Sequence, residues 1–342
     1  MRYLVTGGAG YVGAHACKAL AGAGHEVVVF DNLSTGHREA VKWGDLVVGD
    51  LLDRECINRA IEDTRPDGVL HFAALAYVGE SVHRPDLYYR TNIAGTQNLL
   101  DAMRLAGVSR IVVSSTCATY GTAAEMPISE TTPQVPVNPY GRTKLVMETM
   151  LRDYCSAFGF GAIALRYFNA AGADPAGEIG EDHTPETHLI PLVLQAAAGL
   201  LPNVKIFGND YPTADGTAVR DYVHVTDLAD AHLKALDICA SGHFKAFNLG
   251  AGIGTSVMDI CKAAERVTGQ KIDVEMAPRR AGDPPILYAD PTLAATELGW
   301  TPRQSDLDTI LATAWAWMQS AHPGAGKDGR TDHADSQAEH MN

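Results

Sequence analysis

Tyr140 and Lys144 stand four residues apart in this sequence. On a helix, positions i and i+4 lie on one face, so the phenol and the ammonium group would be neighbours. A free tyrosine ionises near pH ~10, and a nearby cation lowers its pKa toward neutrality. The pair is therefore a candidate general acid/base with an activating lysine. The alternative is a surface tyrosine and lysine on an amphipathic helix, because this spacing is common by chance.

Hydroxyl side chains follow the apolar run 111–113. Ser114, Ser115 and Thr116 come directly after it, and Cys117 is next. If the run is a central strand of a parallel sheet, its carboxyl end is where ligands bind. Thr116 could then donate or accept a hydrogen bond to a substrate oxygen. Serine and threonine are also frequent at strand ends without any ligand, so the hydroxyls count only together with the other motifs.

A glycine-rich segment, residues 5–13, follows the first apolar run. It fits G-x-G-x-x-G at positions 8, 10 and 13 and G-x-x-G-x-x-G at positions 7, 10 and 13. Glycines there let backbone N–H groups approach a pyrophosphate at the start of a helix. Asp31 lies 18 residues after Gly13, where a carboxylate binds ribose hydroxyls and repels a 2′-phosphate, so the pattern predicts NAD rather than NADP. The alternatives are a turn that needs glycine only for its geometry and an ordinary strand-end acid. Asp50, in Gly49-Asp50-Leu51, is a weaker signal of the same kind.

Short apolar runs alternate with longer helical patterns through the first half of the chain. The runs are 3–5, 27–30, 46–48, 69–72, 111–113 and 161–165, and the helical patterns lie near 11–23, 53–64, 86–106 and 139–158. This alternation predicts right-handed βαβ units and a doubly wound parallel sheet of the Rossmann type, in the α/β class. The runs are continuously apolar, as expected of strands covered on both faces.

The composition changes after about residue 170. Residues 171–188 and 207–221 are rich in glycine, proline or acids and predict two long loops, which in compact domains are usually functional. We therefore expect an NAD-binding domain over 1–175, with a return segment near 222–250, and a smaller C-terminal α/β substrate lobe over 176–320. The polar segment 322–342 is expected to be a disordered tail.

The overall charge limits the partners. The 342 residues exceed the usual size of one hydrophobic core, and 27 Lys and Arg against 41 Asp and Glu give a net charge of −14. Such a chain is a poor general binder of nucleic acid or anionic membranes, although it can bind an anionic small molecule through local donors. The longest segments without Asp, Glu, Lys or Arg contain proline and polar residues, so we expect no membrane span, and we expect no signal peptide.

Six cysteines are scattered along the chain without a C-x-x-C pair. In a chain of this length they predict reduced, mostly buried thiols and a cytoplasmic protein. No Cys/His cluster has the spacing of zinc ligands, so we expect no metal.

The ordered set of motifs resembles the extended short-chain dehydrogenase/reductases, and within them the UDP-glucose (UDP-galactose) 4-epimerases, over roughly residues 1–320. The resemblance depends on these segments: VTGGAGYVG (5–13), VFDNLSTG (29–36), HFAALAYVGESV (71–82), SSTCATYG (114–121), NPYGRTK (138–144), LRYFNAAGA (165–173), IFGNDYPTADGTAVRDYVHVTDLADAH (206–232), FNLGAG (247–252) and RRAGDPP (279–285).

The resemblance implies a role for each matching residue. Tyr140 would be the acid/base, Lys144 would bind the nicotinamide ribose, and Thr116 would bridge a sugar hydroxyl. The implied NAD contacts are Gly7, Gly10, Tyr11, Val12, Gly13, Asp31, Asn32, Asp50, Leu51, Phe72, Ala73, Asn92, Ser114, Tyr140, Lys144 and Tyr167. The implied substrate contacts are Thr116, Tyr140, Phe168, Asn169, His188, Leu189, Ile206, Phe207, Arg220, Arg280, Asp283 and Leu287. Among these, Ile206 and Phe207 would edge the uracil, and the two arginines with Asp283 would bind the nucleotide.

Three positions leave alternatives open. Ala76 stands where some family members have a cofactor-contacting lysine. His188 stands where an asparagine often contacts the diphosphate, and it could instead be only a residue that starts a helix. Leu287 would border the sugar chamber, which predicts UDP-glucose and UDP-galactose as the preferred pair with weak turnover of N-acetyl sugars. Otherwise Leu287 packs in the core and touches no sugar.

The implied reaction inverts C4 of a UDP-hexose through a 4-keto sugar, with NAD regenerated in each cycle. A UDP-pentose (xylose/arabinose) 4-epimerase would use nearly the same residues. A 4,6-dehydratase is disfavoured because Cys117 and Ala118, rather than two carboxylic residues, follow Thr116. An NADPH-dependent reductase is disfavoured by Asp31. A non-catalytic NAD-binding regulator would be expected to lack Tyr140 or Lys144.

The resemblance also implies a homodimer that pairs through the helices near 86–106 and 139–158. Six apolar positions on these helices support it weakly: Leu99, Leu100, Met103, Val146, Met147 and Met150. The same positions could instead pack within one subunit.

Overall fold

A computed structural model describes residues 1–280 and 283–321 of the chain. The predicted tail over 322–342 and two residues of the RRAGDPP segment, at 281 and 282, lie outside this part. The strands are β1 Arg2–Thr6, β2 Glu26–Asp31, β3 Asp45–Val48, β4 Gly68–His71, β5 Arg110–Thr116, β6 Gly161–Tyr167, β7 Asn169–Ala171, β8 Val204–Phe207, β9 Val219–Arg220, β10 Tyr222–His224, β11 Phe244–Leu249, β12 Thr255–Ser256, β13 Val274–Ala277 and β14 Ile286–Leu287. The helices are α1 Tyr11–Gly22, α2 Arg54–Thr64, α3 Val78–His83, α4 Pro85–Tyr88, α5 Gly95–Ala106, α6 Pro139–Phe158, α7 Leu189–Ala197, α8 Val225–Ile238, α9 Val257–Thr268, α10 Thr292–Glu297 and α11 Leu307–Ala321.

Seven parallel strands form the central sheet, in the order β3-β2-β1-β4-β5-β6-β11. The order reverses between β1 and β4, and the crevice at such a reversal is where open α/β sheets bind ligands. Alternate residues of β1 face opposite sides, because Val5 belongs to the core cluster under α1 and α8 while Leu4 belongs to the one under α2 and α5. The apolar runs therefore form strands covered on both faces, and the predicted fold class is confirmed.

A smaller α/β lobe follows the long loop after β7. Its core contains apolar side chains of α7, β8, α9 and α11, among them Leu194, Ile206, Ile260 and Leu311. In the sequence, the lobe is interrupted by β10, α8 and β11, which return the chain to the central sheet. Helix α8 packs on α1, and β11 pairs with β6. Among the described residues, no helix is both long enough and apolar enough to cross a bilayer.

The helix predicted near 86–106 is interrupted. Helix α4 passes into a π-helical turn, Tyr89–Ala94, before α5 begins. Asn92 lies in this turn and is fully buried, with its amide bonded to both backbone atoms of Leu75 and to the hydroxyl of Thr143. These tertiary bonds explain the irregularity, which periodicity alone does not reveal.

Four of the six apolar positions proposed for a dimer contact are instead buried within the subunit. Leu99, Leu100 and Met103 are 0% exposed and Met147 is 1% exposed, so they pack in the monomer's own core. Val146, at 36% exposed, is the one of the six with substantial free surface. The sequence pattern on these helices therefore reflects core packing, as the alternative interpretation held.

Candidate active site

The glycine loop forms a tight turn between β1 and α1. Gly7 has φ +75°, and a Cβ on it would lie 2.5 Å from the backbone nitrogen of Ala73. A Cβ on Gly13 would lie 2.1 Å from the Gly7 carbonyl oxygen, so both positions require glycine. Gly10 precedes α1 and makes no side-chain cap, so the first N–H groups of this 12-residue helix remain available to an anion. The loop therefore fits the pyrophosphate of a dinucleotide.

Asp31 fixes this loop to the end of β2. Its Oδ2 accepts a hydrogen bond from the backbone of Ala9 at 3.0 Å, and its Oδ1 accepts one from Leu33 at 2.8 Å. Each carboxylate oxygen has a second lone pair, so the group can still bind ribose hydroxyls. Asp31 can therefore anchor the glycine loop and bind the ribose of a cofactor at the same time.

Neighbouring residues extend the edge of the cofactor crevice. The Asn32 amide donates to Asp50 Oδ2 at 3.0 Å, which joins the ends of β2 and β3. Leu51 does not present its side chain there, because that side chain is 6% exposed and packs in the core beneath α2. The Asn92 amide uses both N–H groups and one lone pair of Oδ1 in bonds to the protein, which leaves it one acceptor site. Leu51 could therefore contact a cofactor through its backbone, and Asn92 positions the loop after β4; their cofactor contacts stay predictions.

An aromatic group lies at the ends of β4 and β6. The backbone nitrogens of Phe72 and Ala73 both donate to the Thr6 carbonyl, at 2.8 and 3.1 Å. The Phe72 ring lies 4.5 Å from the imidazole of His232, centroid to centroid. Burial lowers the pKa of His232 to about 4, so the ring is neutral, and its Nε2 accepts a hydrogen bond from the Tyr167 hydroxyl at 2.7 Å. The sequence-based prediction gave His232 no role; its partners come from distant segments.

The tyrosine–lysine pair lies at the start of α6. Asn138 caps the helix by accepting the Gly141 N–H at 2.8 Å, which places Tyr140 and Lys144 in the first turns. The Lys144 ammonium donates to the Ser114 carbonyl at 2.8 Å and approaches its hydroxyl at 3.4 Å. Thr116 Oγ1 accepts the Ala118 N–H at 3.1 Å, and the Thr116 side chain acts to lower the pKa of Tyr140. The structure therefore brings the predicted catalytic residues together at the carboxyl end of β5.

The pKa of Tyr140 differs from the sequence-based expectation. Burial raises it to about 12, and the hydrogen bond from Thr116 acts in the opposite direction without overcoming burial. Burial also lowers the pKa of Lys144 to about 8, against the raising effect of Glu148. Desolvation of the phenolate therefore outweighs the opposing effect of Thr116, and the lowered pKa expected from the spacing of Tyr140 and Lys144 is not found.

A buried ion pair joins α6, the helix that carries Tyr140 and Lys144, to the central sheet. Glu148, fully buried on α6, accepts bonds from Arg166 Nε at 2.9 Å and Nη2 at 2.7 Å, and from the Ser115 hydroxyl at 2.7 Å. Arg166 also donates to the Tyr120 hydroxyl at 2.7 Å. These bonds join α6 to β5 and β6. The sequence-based prediction missed Glu148, although its position four residues after Lys144 places it on the same helix face.

The candidate nucleotide-binding residues converge in the smaller lobe. The Arg280 guanidinium lies 3.9 Å from the centroid of the Phe207 ring, and Arg220 pairs with Asp283 at 2.5 Å. Ile206 is 1% exposed and packs in the lobe's core, so its side chain does not edge a ligand, contrary to expectation. Arginine forks and a carboxylate are suited to a diphosphate and a ribose.

Asp221, another residue that sequence reasoning missed, organises the loops near this group. It is fully buried and accepts backbone N–H bonds from Ala251, Gly252 and Ala289 at 2.7, 3.0 and 3.0 Å. The Asn169 side chain donates to the Asp221 carbonyl at 2.9 Å. The carboxylate thus holds three loop nitrogens together, while Asn169 lies between the two groups of candidate residues.

The remaining predicted residues lie around the sugar side. Leu287 is 9% exposed and packs with Phe168 and Cys117, next to Thr116 in the chain. His188 immediately precedes α7, whose first residue is Leu189, but makes no cap bond. Its Nδ1 lies 2.9 Å from Glu181 and 3.0 Å from a carboxylate oxygen of Glu186. Leu287 is nearly buried and also lies beside the end of β5. Its position is therefore compatible both with core packing and with a contact to the sugar.

Three further residues considered from the sequence are Ala76, in the segment after β4, and Tyr11 and Val12, in the first turn of α1. Ala76 is exposed in the segment after β4 and provides no charged group there. Tyr11 donates its hydroxyl to the Gly172 carbonyl at 2.6 Å, so the first turn of α1 is joined to the long loop after β7. Val12 is partly buried and packs against the core under α1.

A Rossmann-type sheet with a glycine loop after β1 and a tyrosine–lysine pair beside β5 defines the extended short-chain dehydrogenase/reductase class. Residues 3–250 match the model of the NAD dependent epimerase/dehydratase family. The chain belongs to this family, and the predicted family is thereby confirmed.

Individual relatives cover nearly the whole chain. The UDP-glucose 4-epimerase of Streptococcus mutans is 51% identical over 95% of this chain and 98% of its own length. The crystal structure of UDP-glucose 4-epimerase from Brucella ovis in complex with NAD is 54% identical, with a TM-score of 0.89 over 92% of this chain and 97% of that one. The enzyme from Bifidobacterium longum in complex with NAD⁺ and UDP is 38% identical, with a TM-score of 0.90 over 95% and 100%.

Proposed function

We propose that the protein interconverts UDP-glucose and UDP-galactose by NAD-dependent inversion at C4. The observation that carries the proposal is the grouping of Tyr140, Lys144 and Thr116 at the end of β5. The chain that presents this group is about half identical to UDP-glucose 4-epimerases over nearly its full length. The enzyme is therefore an isomerase that carries a redox cofactor without consuming it.

The protein's own residues hold the cofactor and move the proton. Gly7, Gly10 and Gly13 let backbone N–H groups bind the pyrophosphate, and Asp31 binds the adenosine ribose. NAD, when bound by these residues, would supply reversible hydride transfer at C4 of the sugar. The phenolate of Tyr140 removes the 4-hydroxyl proton and later returns it.

Thr116 and Lys144 prepare this proton transfer. Thr116 hydrogen-bonds both the phenol and the sugar hydroxyl and so aligns donor and acceptor. Lys144, fixed by the Ser114 carbonyl, binds the nicotinamide ribose and adds a positive charge that favours the phenolate. Since burial raises the tyrosine pKa, a positive charge beside the phenol, from Lys144 and from oxidised NAD when bound, would be needed to favour the phenolate near neutral pH.

The smaller lobe anchors the UDP part of the substrate. Arg220 and Arg280 bind the diphosphate, Asp283 binds the uridine ribose, and Phe207 borders the uracil. His188 reaches the diphosphate through Nε2, since Nδ1 faces carboxylates. Remote binding of UDP leaves the keto sugar free to turn between the two hydride transfers.

We also propose that the protein acts as a homodimer in the cytoplasm. Exposed Val146 supports a contact through α6, although most of the apolar positions first considered are internal. All six cysteines are free thiols, which suits a reducing compartment. Light scattering at micromolar concentration tests the assembly, and a monomer would contradict it.

A product assay tests the activity. Purified protein, without added cofactor, is incubated separately with UDP-glucose, UDP-galactose and UDP-xylose, and the anomeric signals are followed by NMR. We expect the two hexoses to reach the same mixture from either side, faster than any change in UDP-xylose. Conversion of the pentose alone would contradict the proposed substrate, and no conversion at all, with NAD bound, would support a non-catalytic role.

A further inference from the structure

Four side chains of the loop between β7 and α7 lie together. They are Glu181, His183, Glu186 and His188, and one ligand atom from each lies within 4.8 Å of the others. The sequence-based expectation of no metal considered only Cys/His spacing and did not include these carboxylates. Among them, only His188 had been considered for any role. We call these four side chains the loop cluster.

The separations within the loop cluster fit a single small cation. His188 Nδ1 lies 2.9 and 3.0 Å from oxygens of Glu181 and Glu186, and His183 Nδ1 lies 3.2 and 3.7 Å from oxygens of the same residues. Zinc binds such atoms at about 2.0–2.2 Å, and tetrahedral geometry then separates neighbouring ligand atoms by roughly 3.3–3.6 Å. The observed nitrogen–oxygen separations lie around this range. Modest side-chain adjustment would therefore form a four-coordinate site.

One ligand atom lacks any other partner. His183 Nδ1 is shielded from solvent and makes no hydrogen bond, although Glu181 Oε1 is 3.2 Å away. Its nearest polar neighbours are two carboxylates at 3.2 and 3.7 Å that are not in hydrogen-bond geometry, and a cation coordinated between these groups would satisfy all of them. The carboxylates of Glu181 and Glu186 are only 8% and 7% exposed. One divalent ion would balance their two negative charges.

Aromatic rings hold the two imidazoles in place. The Tyr77 ring lies 5.9 Å from His183 and 6.1 Å from His188, and the Tyr11 ring lies 6.4 Å from His183, measured between centroids. Packing of this kind limits the side-chain entropy that coordination would otherwise cost. The loop cluster is thus arranged in advance of binding.

We propose that Glu181, His183, Glu186 and His188 bind one zinc-class divalent cation. Two imidazoles with two carboxylates suit zinc or cobalt better than calcium or magnesium, which prefer oxygen ligands alone. With four protein ligands the site has no open position, as in structural zinc sites. The ion fastens the loop that contacts α1 through Tyr11 and α11 through Trp317, whose indole donates to the Glu181 carbonyl at 3.0 Å.

Cobalt titration of the full-length protein tests the site independently of the proposed activity. Because the tail histidines could also chelate, His322, His333 and His340 are replaced by glutamine in every protein compared. After EDTA treatment and dialysis to pH 8, Co²⁺ is added and its visible absorption recorded, with Zn²⁺ binding followed by calorimetry. We expect one equivalent and the strong absorption of four-coordinate cobalt. The His183→Gln variant is expected to bind at least ~10-fold more weakly.

A matched histidine provides the control. His243 is exposed on another loop, with Nδ1 near the Ser241 carbonyl, so His243→Gln should bind cobalt like the parent protein. NAD content and circular dichroism check folding, and Glu186→Gln replaces His183→Gln if the latter does not fold.

X-ray absorption at the cobalt edge of the parent needs no ligand variant and should show two imidazoles. No stoichiometric binding, fewer than two imidazoles, or equal affinity in the His183→Gln and His243→Gln proteins would overturn the proposal.

Discussion

Replacing Glu148 by glutamine should strongly destabilise the protein without removing any residue proposed to touch a ligand. The substitution keeps the size of the side chain but removes the negative charge that faces Arg166 at 2.7 Å. Arg166 is 2% exposed, so water cannot replace the lost partner. Breaking a buried ion pair by removing one member typically costs about 3–5 kcal/mol. Glutamine retains one acceptor oxygen, so we expect a loss of free energy of unfolding of about 3 kcal/mol, the lower end of that range.

Equilibrium urea unfolding at fixed NAD concentration measures this loss. The control is Glu297→Gln, which removes a carboxylate paired with Lys245 at 2.7 Å but with both side chains about half exposed, at 45% and 50%. Exposed pairs contribute about 0–1 kcal/mol, so the control should change stability little. If the two variants lose equal stability, burial of the Glu148–Arg166 pair is not what makes it strong, and the reasoning fails.

The same pair predicts a pH dependence. Hydrogen bonds from Arg166 and Ser115 hold the pKa of Glu148 below its ordinary value of 4.5, against the raising effect of burial. A carboxyl group whose pKa is depressed by folding stabilises the protein above its unfolded pKa, and this contribution is lost as pH falls through the folded pKa. The stability difference between the parent and Glu148→Gln should therefore be full near neutrality and shrink below about pH 4.5. A difference that is unchanged at pH 3 would contradict this assignment.

Three further predictions concern the proposed site. Tyr140→Phe should lower kcat at least ~10²-fold, because it removes the proton-transfer group, while UDP affinity measured by calorimetry stays near normal; retained activity would place the base elsewhere. Asp31→Ala should yield protein with less bound NAD after purification and a raised relative affinity for NADP, measured by nucleotide release on denaturation, and unchanged selectivity would leave Asp31 as a loop anchor only. Leu287→Gly should raise the ratio of N-acetyl to plain hexose turnover if Leu287 borders the sugar, whereas equal loss on both substrates with a lower melting temperature would show that it only packs against Phe168.

The central sheet could be predicted from sequence because its signals are local. Each strand is a short apolar run, and Gly13 and Asp31 mark the helix and strand around the first turn. The break in the helix near 86–106 could not be predicted, because it depends on bonds from Asn92 to Leu75 and Thr143. The sequence also could not show whether Leu99 packs inside the subunit or at a dimer interface. An apolar helix stripe does not reveal what covers it.

The residues of the candidate site likewise fall into those that local spacing predicts and those that depend on distant partners. Tyr140 and Lys144 are adjacent on one helix, so their spacing predicted their proximity. His232, Asp221 and Glu148 escaped notice because their partners lie on other elements, such as Arg166 on β6. The raised pKa of Tyr140 is likewise a result of burial, which spacing does not report.

The position of β11 in the sequence has a consequence for folding during synthesis, because β11 is the last strand of the central sheet to be translated. This strand completes the edge of the central sheet, yet it ends at Leu249, and the core under α1 also includes Leu236, Phe247 and Trp300. A ribosome releases the glycine loop long before it releases these side chains. During that interval the face of the nascent sheet that α1 and α8 share is covered by α1 only, and exposed apolar surface of this kind favours association. A fragment that ends near residue 175 would therefore lack both β11 and α8, and its sheet would be incomplete.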